Sequence, residues 1–276
     1  MACYAKRNKI YCLNKTNKLE NKMKKSILFC MLSVAALSLC GCLNPHLSSM
    51  GSSQMIVAHQ PRVAVNGDSS SMALSVDAYG GAKMTGLNVK DGFSAGGTAA
   101  LNYRPLGAAS PLYVEAAFGG KGGKASFDCS EASKCNDGYM AWLASSEGKK
   151  KYSFWSLQER IAIGADFDVG PMILGLGAGI QLFEGGGDFD DVRDDLGKIL
   201  AENDDEGYGV KLYSAARVGA RLGQYGVIAL DADFMWLKTM NIGFMLNYFH
   251  PSGFHGGIFA VEKVGYGVNV GKTFSF

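Results

Sequence analysis

Strict alternation of apolar with small or polar residues constrains the fold of this chain more than any other feature of its sequence. In GVIALDADFMWL, Ile228, Leu230 and Phe234 fall on one face of an extended chain. Asp231 and Asp233 fall on the opposite face. Successive side chains of a β-strand point to opposite faces, so this period of two predicts strands.

The alternation recurs in ten segments that follow one another to the end of the chain. Many are longer than the ~5–6 residues of an ordinary strand and suit a tilted strand that crosses a bilayer. The face opposite the apolar one is rich in Gly, Ala and Ser, as expected inside a narrow barrel. The ten predicted strands are 71–80, 92–104, 111–119, 154–168, 172–183, 208–221, 226–237, 240–249, 254–262 and 265–276.

The first three connections on one side are long and those on the other side are short, which a soluble meander has no reason to show; the last two connections of the first side, 237–240 and 262–265, are short, so the fit is partial. Long loops on one side and short turns on the other are typical of bacterial outer-membrane barrels. The long connections are 81–91, 120–153 and 184–207, and the short ones are 105–110, 169–171, 222–225 and 250–253.

Aromatic residues gather at the predicted strand ends, where amphipathic rings favour the headgroup layer. We expect an outer rim of Tyr152, Phe154, Trp155, Phe183, Tyr208 and Trp236 and an inner rim of Tyr103, Tyr248 and Phe249.

The N-terminal region is a secretory signal. From Met23, the expected true start, two lysines precede an apolar stretch that ends in LCGC. The stretch resembles the signal peptides of bacterial lipoproteins. The resemblance implies cleavage after residue 41 and acylation of Cys42, with palmitate among the expected acyl groups. The alternative is an ordinary signal peptide with a coincidental cysteine. We divide the chain into a precursor segment 1–41, a lipid-anchored flexible tether 42–70 and a β-barrel 71–276.

Removal of the precursor segment changes the charge of the protein. Residues 1–41 hold eight of the 27 Lys and Arg residues and one of the 25 Asp and Glu residues, so residues 42–276 carry a net charge of −5. This net negative charge argues against a nucleic-acid partner.

Two further cysteines, Cys129 and Cys135, lie in a Gly-, Ser- and Lys-rich loop. In the oxidising compartment that an export signal implies, we expect them to form a disulfide. Two free thiols are the alternative. A zinc site would need more ligands than lie nearby.

The chain ends in the alternating sequence GYGVNVGKTFSF. This end resembles the C-terminal strand of outer-membrane β-barrels, and small barrels of the OmpA and OmpX kind are the nearest comparison. The resemblance implies an all-β, antiparallel up-and-down transmembrane β-barrel of eight to ten strands. It also implies recognition by the barrel-assembly machinery through the strand that ends at Phe276, a place in the bacterial outer membrane and extracellular long loops.

Charges of both signs fall on the inward face of the predicted strands. Because buried charges must be paired, we predict that they form a network that plugs the lumen. A selective polar channel and acid–base catalysis by Asp231 and Asp233 are the alternatives. The predicted network contains Asp231, Asp233, Arg217, Arg221, Arg160 and Asp166, with Asp77, Glu115, Asp168 and Lys211 also inward.

Other motifs give little support for an enzyme. GFSAG matches the nucleophile-elbow pattern, but the residues after Ser94 predict a strand rather than a turn and helix. His250 and His255 flank a predicted inner turn, away from the outer rim. The acidic segment 188–206 predicts a short helix on an outer loop and lacks a calcium-loop pattern. We expect no catalytic residue, metal site or cofactor.

These patterns predict an outer-membrane lipoprotein barrel with a structural or surface-interaction role and an unidentified extracellular partner. A lipid-anchored soluble barrel that binds a small hydrophobic ligand is one alternative. It would turn Ile228, Leu230 and Phe234 inward. A narrow channel is the other.

Overall fold

The computed structural model describes residues 3–6, 9–12, 57, 71–82, 89–129, 137–188, 191–192, 196, 208–236, 241–261 and 265–276. The chain divides into two compact units, Met1–Cys42 and Leu43–Phe276. In the first unit, β1 (Cys3–Lys6) and β2 (Lys9–Cys12) pair antiparallel.

The second unit is a closed antiparallel barrel of ten strands, each paired with its neighbours in sequence, and β12 pairs with β3 to close it. The predicted fold class is confirmed, and every predicted strand is present, including the weakly patterned ninth. The strands are β3 (Met72–Ala82), β4 (Val89–Tyr103), β5 (Leu112–Phe127), β6 (Tyr152–Val169), β7 (Met172–Gly186), β8 (Tyr208–Arg221), β9 (Val227–Trp236), β10 (Asn241–Phe249), β11 (Phe254–Val261) and β12 (Gly265–Ser275).

The barrel has two distinct ends. At the end that we call the short-turn end, the connections are 104–111, 170–171, 222–226 and 250–253. Gly170 has φ 63° and precedes Pro171, whose ring fixes a negative φ, so the two residues have the φ signs of a type II′ hairpin turn. At the opposite end, which we call the loop end, the connections include 128–151 and 187–207.

The exterior of the barrel is mainly apolar, and its interior holds the charged side chains together with small apolar clusters. Ile228, Leu246 and Val270 are 38%, 39% and 62% exposed. Arg217 and Asp233 are 5% and 0% exposed. The charged side chains of the strands thus lie mainly inside and large apolar side chains cover most of the surface, the reverse of a soluble protein. The same alternation places Phe234 on the exterior, but its side chain is buried and its ring centroid lies 6.3 Å from that of Trp236.

The predicted aromatic rims are wrong for several residues. Tyr152, Phe154, Phe183 and Phe249 are buried. The reason is the alternation itself: Phe154 and Trp155 are consecutive residues of β6 and cannot share a face, so only Trp155 is exposed outside. Of the other rim residues, Tyr103 and Tyr248 are exposed, Trp236 is half-buried, and the side chain of Tyr208 lies outside the described set.

A small hydrophobic cluster, the loop-end cluster, lies at the loop end. It brings helix α1 (Asp137–Ala144), which the sequence did not predict, against the ends of β5 and β6. The centroid of the Phe127 ring lies 5.5 Å from that of Trp142 and 5.8 Å from that of Tyr152. The described helical residues of the acidic segment contribute two members. The cluster consists of Ala125, Phe127, Tyr139, Tyr152, Phe154 and Leu196, with Cys129, Trp142, Leu143 and Val192 packed against it.

Within the ranges given above, the structure contains no helix with the length and apolar character needed to cross a membrane.

Candidate functional site

The barrel interior is the candidate site, because neighbouring strands deliver charged side chains to it. Arg217 on β8 and Asp231 on β9 are direct cross-strand partners, and Gly175 on β7 is the partner of Arg217 on its other side. The next partner in this row is Asp166 on β6. Gly175 leaves room for the two flanking side chains, since a Cβ there would lie 2.8 Å from Asp166 Oδ1 and 3.0 Å from Arg217 Cβ.

A chain of ion pairs runs through this row. Arg217 Nε donates to Asp231 Oδ1 at 2.6 Å, and Arg217 Nη1 donates to Asp166 Oδ1 at 3.1 Å. The other oxygen of Asp166 accepts from Arg104 Nη2 at 2.9 Å. All four side chains are buried, and their charges cancel. We call Arg104, Asp166, Arg217 and Asp231 the first ion-pair group.

A second ion-pair group is centred on Arg160, whose side chain is fully buried. Its Nε and Nη2 donate to Glu115 Oε1 at 3.1 and 2.9 Å, and its Nη1 lies 3.8 Å from Asp233 Oδ2. Its guanidinium carbon lies 4.1 Å from the centroid of the Tyr213 ring, a cation–π contact. Tyr213 donates its hydroxyl hydrogen to Asp233 Oδ1 at 3.2 Å. The second group is therefore Glu115, Arg160, Tyr213 and Asp233.

A further polar pair links β11 to β3 across β12, where the barrel closes. His255 Nε2 and Asp77 Oδ1 are 2.8 Å apart, and both side chains are buried. Gly271 lies between them in the register, and a Cβ there would contact both. Nearer the short-turn end, the hydroxyl oxygens of Ser75 and Thr273 are 2.7 Å apart.

The structure brings most of the sequence-predicted charges together but leaves one pair apart. Arg160, Asp166, Arg217, Asp231 and Asp233 belong to the two buried groups. Arg221 instead pairs with Asp168 at the short-turn end, where both side chains are about one-third exposed. They lie at the ends of β8 and β6, beyond the enclosed part of the interior.

Sequence reasoning missed three buried interior residues. Arg104 is the last residue of the predicted strand 92–104 and follows β4 in the structure, and its side chain reaches Asp166. His255 was predicted to flank an inner turn, within the predicted strand 254–262, and is the second residue of β11. Lys121 is buried inside β5, in a Gly-rich stretch whose alternation the sequence shows less clearly. The period of two in the predicted strands places Arg104 and His255 on the inward face but does not give their partners, whereas Lys121 fell in the predicted connection 120–153.

The arrangement is a network of buried, paired charges. Taking charges out of water costs several kcal/mol per ion, and only close pairing with hydrogen bonds offsets it. Both carboxylates of the suggested catalytic pair, Asp231 and Asp233, accept hydrogen bonds from neighbouring groups. No three His, Cys, Asp or Glu side chains of the described ranges are arranged to hold a metal ion. Ser94 is buried within β4, so the strand–turn–helix context of a nucleophile elbow is absent there.

Two of the other predicted sites fall partly outside the described residues. Cys129 is disulfide-bonded and packs against the loop-end cluster. Its predicted partner, Cys135, and the predicted lipidation site, Cys42, lie outside the described residues.

No protein-family model matches the chain. Comparison with curated proteins likewise gives no match.

Several solved structures are similar to this chain. Neisserial surface protein A (NspA) is 16% identical over 76% of this chain and 99% of that one, with a TM-score of 0.33. The translocator domain of the autotransporter NalP from Neisseria meningitidis is 12% identical over 74% and 87%, with a TM-score of 0.35. An outer membrane channel from Pseudomonas putida F1 is 9% identical over 84% and 100%, with a TM-score of 0.38. Because these TM-scores are below 0.5, the function proposed next rests on the residues of this chain.

Proposed function

We propose that this chain is a β-barrel of the bacterial outer membrane whose exterior contacts lipid, whose lumen is plugged by paired charges, and whose role is structural or surface-interacting. The observation that carries the proposal is the inversion of the two faces, with apolar residues outside and charged residues inside.

The exterior would be unfavourable in water. Monomeric soluble proteins rarely expose contiguous apolar patches larger than a few hundred Å². Here the exposed large apolar residues follow one another along and between the strands, and an apolar groove of about 710 Å³ crosses the exterior between them. Closure of the barrel pairs the backbone groups of every strand, which is the condition for a sheet in hydrocarbon. The groove is lined in part by Leu230, Phe244, Leu246, Ile258, Tyr266 and Val268.

Strand lengths also fit a bilayer. A tilted transmembrane strand needs about 9–11 residues; β9 and β10 have 10 and 9, and β11, with 8, is slightly shorter. On β6, the exposed exterior positions Ile161, Ile163 and Val169 are apolar, and the first exterior carboxylate beyond them is Glu159. The remaining residues of β5 to β8, which are 14–18 residues long, would extend past the lipid at the loop end.

A lumen plugged by paired charges would favour a surface role over transport. The two ion-pair groups and the Asp77–His255 pair occupy the interior, and small barrels have interiors just wide enough for side chains to fill. The loop-end cluster gives the loop end a packed structure of its own. A partner outside the cell would meet that end of the barrel.

Two further parts of the proposal come from the sequence. Acylation of Cys42 would add a lipid anchor to the barrel. The strand that ends at Phe276 would be the signal for the barrel-assembly machinery. Phe276 itself is exposed, and its backbone N–H donates to Met72 O at 2.9 Å, so the end of the chain is fixed against β3.

Fractionation of a Cys42→Ala variant tests membrane insertion separately from lipid anchoring. We expect this variant to remain in membranes washed with carbonate or urea, because the barrel holds itself in the bilayer. The unmodified chain is the matched control, and mass spectrometry of its N-terminal peptide reports acylation. Release of the folded variant into the soluble fraction would instead favour the lipid-anchored soluble barrel.

A conductance measurement tests the channel alternative. We expect the purified barrel to be silent in planar bilayers while its electrophoretic mobility still changes on heating, the sign of a folded barrel. Reproducible unitary currents from the unmodified chain would contradict a plugged lumen.

A further inference from the structure

One residue that precedes the barrel in sequence, Val57, is buried in its interior. Val57 is fully buried and forms a cluster with Ala100 of β4 and Ala117 of β5. These two alanines are direct cross-strand partners and are themselves buried, whereas the adjacent Ala116 is exposed outside. The side chain of Val57 therefore contacts the inner wall of the barrel.

The inner wall at this position, which we call the Val57 seat, is made of two methyl groups beside the charged side chains of the second ion-pair group. The register row continues from Ala100 to Ser75 and from Ala117 to Arg160. Two alanines leave space that the neighbouring charged side chains cannot fill without losing their partners. An apolar side chain from elsewhere in the chain matches this seat in size and polarity.

We propose that Val57 is an intramolecular plug, an apolar side chain that the protein inserts into its own lumen against Ala100 and Ala117. This goes beyond closure by paired charges, and the contact itself does not depend on membrane insertion. The seat adjoins the second ion-pair group, because Ala117 is the cross-strand partner of Arg160 and lies two residues from Glu115. An apolar side chain there excludes water from the Arg160–Glu115 pair and so strengthens it.

Disulfide trapping in the full chain tests the contact. We expect a Val57→Cys/Ala117→Cys variant to form a 57–117 cross-link under mild oxidation, identified by mass spectrometry of the linked peptides. The matched control is Val57→Cys/Ala116→Cys, whose second cysteine is on the exterior, and it should give no such cross-link. Equal cross-linking of the two variants, or none in the first while its barrel is folded, would overturn the proposal.

Displacement of the plug gives an independent measurement. In an otherwise unchanged chain, Val57→Cys should be protected from a maleimide until the barrel is unfolded. Adding Ala117→Phe should fill the seat and remove this protection, whereas adding Ala116→Phe on the exterior should leave it intact. If Ala117→Phe does not fold, Ala100→Leu fills the same seat. Protection that persists in a folded, filled barrel, or rapid labelling of Val57→Cys alone, would show that Val57 lies elsewhere.

Discussion

Arg217 of β8 and Asp231 of β9 are direct partners on neighbouring strands of the inner barrel wall, with Arg217 Nε 2.6 Å from Asp231 Oδ1. Arg217 also contacts Asp166 through its terminal nitrogen. One guanidinium thus connects carboxylates from two other strands, so it should be a central support of the interior.

Arg217→Met should destabilise the barrel by about 3–5 kcal/mol, because it leaves two buried carboxylates without this partner. Asp231 should lose more stabilisation than Asp166, since Asp166 keeps its ion pair with Arg104. The urea concentration at the midpoint of unfolding, with the folded fraction read from heat-dependent electrophoretic mobility, measures this loss of stability. Val218→Met, at the next residue on the exterior, is the control and should unfold like the unmodified chain. Equal midpoints for the two variants would mean that the pair contributes little.

Leu246→Arg should impair membrane insertion, since Leu246 lies near the middle of β10 on the exterior face. Arginine on the lipid face near the bilayer midplane costs about 2–4 kcal/mol, and near the interface about 0–1 kcal/mol. Leu222→Arg, in an exposed turn at the short-turn end, is therefore the matched control. The fraction of each variant that folds in lipid vesicles is the measurement that compares the two substitutions. Similar yields would indicate that the exterior does not contact hydrocarbon.

Gly175→Ala should destabilise the interior by roughly 1–3 kcal/mol, the usual cost of overpacking. The added methyl group would lie 2.8 Å from Asp166 Oδ1 and 3.0 Å from Arg217 Cβ, so one ion pair must shift. At Gly80 the nearest atom to an added Cβ is 3.9 Å away, and Gly80→Ala should be tolerated. The thermal unfolding midpoints of both variants measure the difference. An unchanged midpoint for Gly175→Ala would mean that Asp166 and Arg217 can shift without loss of stability.

Trp142→Ala should loosen the loop-end cluster without unfolding the barrel. Trp142 contacts Phe127 and stacks on Tyr139 at a centroid distance of 6.2 Å. Large-to-small aromatic substitutions in packed clusters cost about 3–5 kcal/mol, so proteolytic cleavage around α1 should accelerate. Met140→Ala, an exposed position on the same helix, is the control. A rate unchanged from that control would show that α1 is held by other contacts.

The period of two was sufficient to locate the strands and to assign most side chains to a face. The prediction for β8 has the bounds 208–221 that the structure shows, and β11, the weakest pattern, is also present. Alternation is a property of the local chain and needs no knowledge of neighbours. It gave no signal for α1, whose position depends on contacts with the ends of β5 and β6.

The sequence by itself determined that apolar and charged residues of each strand face opposite ways, because successive side chains of an extended backbone alternate. Only the tertiary structure decided which charges meet. Arg104 reaches Asp166 across 62 positions of sequence, and His255 reaches Asp77 across 178. Such partners are set by the register of each strand pair and by closure of β12 on β3. Burial of Val57 against Ala100 and Ala117 was decided in the same way, since only the closed barrel encloses these two alanines.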